Sequence, residues 1–482
     1  MGYYSDKYEA VIGLEVHAQL LTKSKLFCAD SVAFGAEPNT QISPISLAYP
    51  GTLPKLNEAA IELAVRLGLA CGCEIEERNY FARKHYFYPD LPKGYQISQH
   101  TTPICKGGTV TINTPAGERE VQLNRIHLEE DAGKSIHDLY EDYSVIDYNR
   151  AGVPLVEIVT EPDMHNGEEA AAYLTELREL VRQLGVCDGN MEEGSLRCDA
   201  NISIRPVGSK TLGTKAEVKN LNSIRFLKKA IDYEVQRMID LAERGESVKQ
   251  ETRSFDAETE TTFSIRTKED ANDYRYFADP DLPAFVVTEE FKQRIKAALP
   301  ELPKERKQRL MQQYQLNEKD AARLAADKTT TDYFEAAAKA AGHVQQVANW
   351  MLGSIRSYLN EESVSLDQLN LTPKILSDLI ALVEEGAVSH TVAVQKLFPQ
   401  LVKEGGEPHA LAISLNLIQE RDTDTLSQLV DDVFNRMPEK VQEYKKGKKG
   451  LMGLFVGEVM KLSKGKADPK LLNELIAQKL QS

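Results

Sequence analysis

The stretch VQLNRIHLEEDAGKS, Val121 to Ser135, decides how the chain is read. Its first half alternates as a β-strand does, and its second half sets three acids, Glu129, Glu130 and Asp131, against Ala-Gly-Lys-Ser. Acids this close repel one another, so burying them requires a cation or several donors opposite; a solvated strand end requires nothing. Both readings stand on the stretch alone. Gly-Lys-Ser invites a phosphate-loop reading, but that motif needs a Gly five residues before its second Gly, and Leu128 holds that place. Any nucleotide chemistry here must therefore use acids and a metal, not a Gly-rich cradle.

Outward from this stretch, residues 8 to about 295 carry short β-like runs separated by Gly and Pro turns. YEAVIGLEVHAQL, TVTINTPAGEREVQLNRIHL, YSVIDYN, PLVEIVTEP, ANISIRP and TKAEVKNLN are the clearest. Helical spacing interrupts them in LNEAAIELAVRLGLACG, in NGEEAAAYLTELRELVRQLGV behind an N-cap-like Asn, and from about Ile224 to Glu243. Strands and helices do not alternate one for one, which predicts an α+β domain on a mostly antiparallel sheet, not a doubly wound fold. After ADPDLPAFVVTEE nearly everything reads as helix, with LPKERK, LNEK, LTPK and LFPQ as turn signals. The expected divisions are 1–295, 296–405 and 406–482, the second falling in Gly-Gly-Glu-Pro. In the last part, YKKGKKGLMGLFVGEVMKLSKGKADPK has glycines interrupting an apolar run from Met452 to Met460 with lysines on both flanks, which reads either as an amphipathic helical pair with a solvated basic loop or as a module that grips an RNA backbone.

At 482 residues the chain is too long for one ordinary core. Hydrophobic content of 42% and charged content of 27% are those of a soluble globular protein. No apolar run is long enough to predict a membrane-spanning helix, and MGYYSDKYEAVIGLEV lacks the pattern of a secretory signal. Six cysteines in this length are no disulfide framework, and Cys71 and Cys73 have no second close pair downstream, so reduced thiols and a cytoplasmic protein are expected. A net charge of −15 argues against a general nucleic-acid binder. From Met437 onward, however, ten lysines face five acids, so a polyanion such as an RNA backbone could be held there.

Several positions carry candidate chemistry. Alternation in VIGLEVHAQL puts Glu15, His17 and Gln19 on one face, a carboxylate–imidazole pairing suited to a divalent metal and also common on solvated strands. Glu157 in PLVEIV lies in a run apolar enough to be covered, where an acid needs a partner. Arg197, Asp199, Asn201, Ser203 and Arg205 share one face in RCDANISIRP, as an exposed face or as the wall of a polar site. TKAEVKNLNS adds Glu217, Lys219 and Asn220, and FARKHYFYPDLPKGYQISQ adds Lys84, Tyr86, Tyr88, Lys93, Tyr95 and Gln96 on a proline-stiffened path. Acids beside cations at several places in one domain favour a site for metal and phosphate, and phosphoryl transfer. No GxSxG elbow and no Gly/Ser-rich amidase stretch is present, so a hydrolase with a side-chain nucleophile is unsupported.

Together VIGLEVHAQL, LAYPGTLP, KHYFYPDLPKGYQISQ, HLEEDAGKS, DYNRAGVPLVEIVTEPD, MEEGSLRCDANISIRP, EVKNLNS, DYRYFADPDLP and GKKGLMGLFVGEVMK resemble the B-subunit family of the aspartyl/glutamyl-tRNA amidotransferases, GatB/GatE, over essentially the whole chain. The resemblance implies an N-terminal cradle domain, a helical domain and a small helical, tRNA-binding tail. It implies ATP-dependent phosphorylation of the side-chain carboxylate of Glu-tRNA(Gln), Asp-tRNA(Asn) or both, followed by amidation. Ammonia would come from the family's amidase partner, with a small third polypeptide completing a heterotrimer, and no membrane is involved. By motif, Mg2+ ligands would be Glu15, His17, Glu129 or Glu130, and Glu157, with Asp199 added. Of the two adjacent acids, which alternation places on opposite strand faces, Glu130 is the favoured ligand. Lys84 resembles the family's lysine near the end of the ammonia path, Arg197 joins it as a catalytic candidate, and Tyr88, Lys93, Lys219 and Asn220 are candidates for ATP and the tRNA 3′ end. The four-cysteine zinc site of some family members does not carry over, because only Cys71 and Cys73 stand there. A non-catalytic RNA-binding scaffold and a stand-alone ammonia ligase for a small acid are the competing readings.

Overall fold

The computed structural model describes residues 4–137, 139–267, 274–419, 423–463 and 467–481. Two compact units divide the chain, 1–300 and 301–482. In the first, the main elements in chain order are β1 (Tyr8–Gln19), α1 (Glu58–Ala70), β2 (Ala82–His85), β3 (Tyr95–Ser98), β4 (Thr109–Thr114), β5 (Gly117–Glu130), β6 (Pro154–Thr160), α2 (Gly167–Gln183), β7 (Leu196–Pro206), β8 (Ala216–Leu221), α3 (Ile224–Glu243), β9 (Glu251–Asp256), β10 (Thr261–Thr267), β11 (Phe277–Ala278) and α4 (Glu289–Ala297).

These strands build one mixed sheet in the order β10-β9-β8-β7-β1-β6-β5-β3-β2-β11. Its pairs are antiparallel except β8 with β9, which α3 joins as a crossover. β1 lies in the middle, paired with β6 on one edge and β7 on the other. Ile12, Leu14 and Val16 are buried on one face, while Glu15, His17 and Gln19 stand half-buried on the other. α2 and α3 pack on each other, burying Tyr173, Leu174 and Leu177 from one and Leu227, Ile231 and Met238 from the other. Side chains of Asn166 and Ser223 accept backbone N–H bonds from Glu169 and Phe226, so each helix begins at the polar residue that satisfies its first turn. The span of α3 is the one expected from spacing.

The unit 301–482 is helical throughout its described part. Pro303 and Pro373 occupy first helical turns, where a missing N–H is harmless, so LPKERK and LTPK are helix starts. In LFPQ a single π-turn, Ala393–Leu397, runs into the helix Phe398–Glu404. A core around Phe334, Trp350, Leu376 and Leu401 extends past Gly405 to Ala412, with Ile418 packed against it, so Gly-Gly-Glu-Pro turns the chain without ending that core. A separate cluster gathers Leu426, Val430, Phe455, Val459 and Ile476. Here the helical reading of the tail holds: Met452–Leu462 is one helix through Gly453 and Gly457, carried by burial of Phe455 and Val459. No described helix is long and apolar enough to cross a membrane.

Candidate active site

Residues opposite one another in an antiparallel ladder share a face. The register therefore lays a polar row across four strands: His127 of β5 faces Glu157 of β6, which faces His17 of β1, which faces Arg197 of β7. Glu129, two residues beyond His127, joins the same face. Glu15 opposes Asp199, and Asn201 opposes Glu217 of β8, extending the polar surface along the sheet.

At the centre, His17, Glu129 and Glu157 bring ligand atoms within 4.8 Å of one another. His17 Nε2 lies 3.5 Å from Glu129 Oε1 and 3.7 Å from Glu157 Oε2. Behind them His127 is buried, its Nε2 3.1 Å from Glu157 Oε2 and 3.8 Å from Glu129 Oε2, while its Nδ1 has no partner among the described residues. Burial opposes a charge on His127, but the Glu157 carboxylate and then Glu129 outweigh it and push the imidazole up to about 9. Burial likewise opposes ionisation of Glu157, and His127, His17 and Lys84 overcome it, holding this carboxyl well below the usual range.

Lys84 on β2 supplies a further cation. Burial lowers its basicity, yet Glu129, Tyr276 and Glu157 raise the ammonium above its ordinary value, and its Nζ sits 5.0 Å from the Tyr274 ring centroid and 5.6 Å from that of Tyr86. Away from this centre, Glu15 accepts from Asn201 at 2.8 Å, and Lys219 bonds Asp199 at 2.7 Å and Glu217 at 2.9 Å. Glu15 and Asp199 thus share the face of the three-residue cluster but stand outside it. Arg197 bonds Asp131 Oδ2 at 3.0 Å, which Gln19 also reaches at 3.0 Å.

The favoured ligand of the sequence reading is corrected here. Glu130 shares the face of Ile126 and Leu128, away from His17, where its carboxylate takes Lys93 at 2.5 Å and the Ile97 N–H at 2.9 Å. Glu129 is the acid that faces the cluster, because strand alternation continues to the last residue of β5. Lys93 pairs with Glu130 there and keeps part of its side chain exposed. Tyr88 is exposed, with its ring 5.8 Å from that of Tyr86, and the side chain of Asn220 lies outside the described residues. The Ala-Gly-Lys segment is a junction and no phosphate cradle: Gly133 N–H donates to Asp90 O, and Arg150 caps the carbonyls of Ala132 and Gly133. A Cβ on Gly133 would stand 3.0 Å from Asp147 O and 3.1 Å from Asp90 O.

Sequence reasoning did not single out His127, although alternation pairs it with Glu129. Nor did it find Lys25, a loop lysine without any exposure. Two carboxylates and an imidazole within 4.8 Å, backed by a second imidazole, are a donor set that fits a divalent cation, with oxygens suited to a hard ion and coordination positions left for substrate.

Fold and site together define a domain that gathers acids, imidazoles and cations on one face of a mixed sheet, with a donor set that fits a divalent cation. A family model described as the GatB/GatE catalytic domain matches residues 10–293, and one described as the GatB domain matches 332–480. The chain belongs to the family of aspartyl/glutamyl-tRNA(Asn/Gln) amidotransferase B subunits. It is 49% identical over 470 residues to the protein of that name from Thermodesulfovibrio yellowstonii, covering 98% of each chain. To the one from Geobacter sp. it is 47% identical over 478 residues, covering 98% of this chain and all of the relative.

Proposed function

We propose that the chain is the B subunit of a tRNA-dependent amidotransferase that phosphorylates the side-chain carboxylate of Glu-tRNA(Gln), Asp-tRNA(Asn) or both with ATP, and then amidates it. The observation that carries this reading is the cluster of His17, Glu129 and Glu157, backed by His127 and faced by Lys84. A carboxylate is a poor electrophile. In the first step a substrate carboxylate oxygen bonds the γ-phosphorus of ATP while the bond to ADP breaks. In the second, ammonia nitrogen attacks the acyl carbon, inorganic phosphate leaves with the C–O bond, and nitrogen loses a proton.

His17, Glu129 and Glu157 would hold Mg2+, with Glu15 and Asp199 on the same face. When bound, the ion supplies charge compensation where two anions meet. His127 holds the carboxylates in place from behind. Lys84, Arg197 and Lys219 all have basicity raised by neighbouring acids despite burial, so they remain cations at neutral pH and act by charge, not as bases. Tyr88, Lys93, Lys219 and Asn220 are the proposed contacts to ATP and the tRNA 3′ end. Ammonia is supplied by a separate amidase partner, with a small third polypeptide completing a cytoplasmic heterotrimer, in keeping with the absence of an amidase stretch in this sequence. A cradle domain at 1–295, a helical domain and a tail divide the work, the expected division at 405/406 being moved later because the helical core runs on to Ala412. In the tail the exposed Lys445, Lys446, Lys448 and Lys449 hold the tRNA backbone.

The test uses the assembled complex with mischarged Glu-tRNA(Gln), Mg2+, ammonium and γ-labelled ATP, and follows phosphate release and Gln-tRNA. Wild type forms product, and Glu129→Gln binds tRNA without forming it. Equal product from both defeats the proposed site, and tight tRNA binding without product from either leaves a scaffold.

A further inference from the structure

The segment 274–281, YRYFADPD, runs along the sheet beside Lys84, and its β11 is the last strand on that side among the described residues. Phe277 and Ala278 pair with Arg83 and Ala82 of β2. Beyond the pair, His85 N–H donates to Tyr274 O at 2.9 Å and Asp279 N–H to Phe81 O at 2.8 Å. Two paired residues are a weak hold for an edge strand. We propose that Arg83, Asp279 and Asp281 form a latch that fixes this segment across β2, so that Tyr274 and Tyr276 keep the Lys84 ammonium at the carboxylate cluster and shield it from water. The inference rests on the reaction proposed above and makes Arg83 and Asp279 positioning residues for its second step.

The latch lies on the far side of β2, because alternation sends Arg83 and Lys84 to opposite faces. Arg83 Nε donates to Asp279 Oδ2 at 2.9 Å, and its Nη2 donates to Asp281 Oδ2 at 2.8 Å. Asp281 N–H closes the arrangement on Asp279 Oδ1 at 2.8 Å. The Asp279 side chain has no exposure, so losing its cation would leave a buried charge uncompensated. The guanidinium also lies over the Tyr95 ring, 4.4 Å from its centroid, which ties the latch to β3. One planar fork thus binds two carboxylates 196 and 198 residues along the chain, a geometry that a lysine does not supply.

On the face of the cluster, the segment delivers two rings to Lys84. Its Nζ lies 5.0 Å from the Tyr274 ring centroid, and the Tyr276 ring packs on that of Tyr274 at 5.9 Å. Tyr276 is also stacked on His100, ring centroids 4.0 Å apart. The groups that raise the basicity of Lys84 against burial are Glu129, Tyr276, Glu157 and Tyr274, two acids of the cluster and two tyrosines of the segment. Between the tyrosines Arg275 takes φ +45°, a left-handed conformation that a residue with a Cβ rarely adopts. Such a conformation persists only where the attachments on either side impose it.

An activated carboxylate reacts with water as well as with ammonia. Attack of a water oxygen on the acyl carbon breaks the C–O bond to phosphate and returns the carboxylate, so ATP is consumed without product. A tyrosine wall fixed beside Lys84 keeps that water away.

The test follows ADP released per Gln-tRNA formed by the assembled complex with mischarged Glu-tRNA(Gln), ATP, Mg2+ and ammonium. Wild type should release the two in equal amounts. Arg83→Gln should raise the ratio about threefold or more, with ADP formation within about twofold of wild type, and excess ammonium should restore it. Arg83→Lys, which keeps the charge without the fork, should fall between. Tyr276→Leu removes part of the wall and leaves the latch, so it should uncouple likewise and add nothing to Arg83→Gln. It carries the test if Arg83→Gln does not fold. Acylation of Lys84 by an amine reagent, read on the full chain by peptide mass spectrometry, is independent of the reaction and should run about tenfold faster in Arg83→Gln than in wild type. ADP and product falling together at an unchanged ratio, a further rise in the double variant, or equal acylation of Lys84 each overturns the latch. Wild type that forms no ADP, with acylation of Lys84 faster in Arg83→Gln, sinks the reaction and supports the latch.

Discussion

Replacing Glu129 and Glu130 one at a time by Gln should give two different phenotypes, although the residues are adjacent. Glu130 is enclosed, with Oε2 2.5 Å from Lys93 and Oε1 accepting the Ile97 N–H at 2.9 Å. Gln at 130 keeps one acceptor but turns an amide donor or an uncharged oxygen toward an ammonium. Breaking a buried pair from one side costs roughly 3–5 kcal/mol. Lys93 keeps 19% of its side chain exposed and can turn partly to water, so about 2–3 kcal/mol is expected. At roughly 2–4 °C per kcal/mol for a large domain, the transition of the first unit should fall by about 4–12 °C. Gln at 129 removes one carboxylate of a pair that shares a site. Relief of its repulsion by Glu157 opposes the lost attraction to His127 and Lys84, so metal-free stability should move by less than about 1 kcal/mol. Divalent-cation affinity should instead drop by at least about 10–100-fold, since even outer-shell losses reach that size. Thermal denaturation of the metal-free chain and calorimetric titration with Mn2+ read the two effects separately. If Glu130→Gln weakens Mn2+ as much as Glu129→Gln with melting unchanged, the assignment of the two acids to opposite faces is wrong.

Three further outcomes follow from other parts of the molecule. His127 has its basicity raised from 6.5 to about 9, so its contribution to stability is fully present below pH 6.5 and lost as pH rises through about 9. The shift corresponds to about 3 kcal/mol at most, reduced to about 1–2 because a protonated Nδ1 would be a buried donor without an acceptor; His127→Gln should flatten the alkaline limb of a stability–pH curve of the metal-free chain. Phe334 is fully buried with its ring 5.2 Å from that of Tyr314, so Phe334→Ala should cost about 3–5 kcal/mol, read by calorimetry as a lowered transition of the second unit alone. Replacing Lys445, Lys446, Lys448 and Lys449 by Gln should weaken tRNA binding and lower the slope of log affinity against log salt by about 1 for each phosphate no longer neutralised, with phosphorylation persisting at saturating tRNA.

What could be read from the sequence was local. The two faces of β1 follow from alternation alone, and the span of α3 follows from its apolar spacing. What escaped depends on pairing between distant strands or on loops. His127 reads as one residue before an acidic block until the register sets it opposite Glu157, thirty residues along the chain. Glu130 drew attention as one of three adjacent acids, and only its place at the end of β5, against Ile97 and Lys93, turns it away from the cluster. Lys25 gives no local signal, since a lysine in a loop is ordinarily solvated; its burial needs Tyr148 and Gly152 to fold over it. In the tail a helical pair was only one of two readings, because the burial of Phe455 and Val459 that outweighs the low propensity of its glycines is not visible locally.

The repulsion that makes Glu129-Glu130-Asp131 conspicuous is resolved by sending each acid to different partners. Glu129 meets His17 and His127, Glu130 meets Lys93, and Asp131 meets Arg197 at 3.0 Å and Arg150 at 3.6 Å. Burial alone would raise the Asp131 carboxyl, yet Arg197 and Arg150 hold it below its ordinary value, so its share of stability is present above pH 3.8 and lost only in stronger acid. Asp131 also lines a cavity beside Lys93 and Glu130, while its oxygens bind Gln19 and Arg197 on the polar face. It is therefore the one acid of the three that touches both sides of β5. Asp131→Asn would leave two guanidinium groups short of a counter-charge and free Gln19 from its partner, disturbing the face that carries His17 and the mouth of the cavity together. The alternating strand supplies two separate environments, and the third acid, just past its end, ties them to one another.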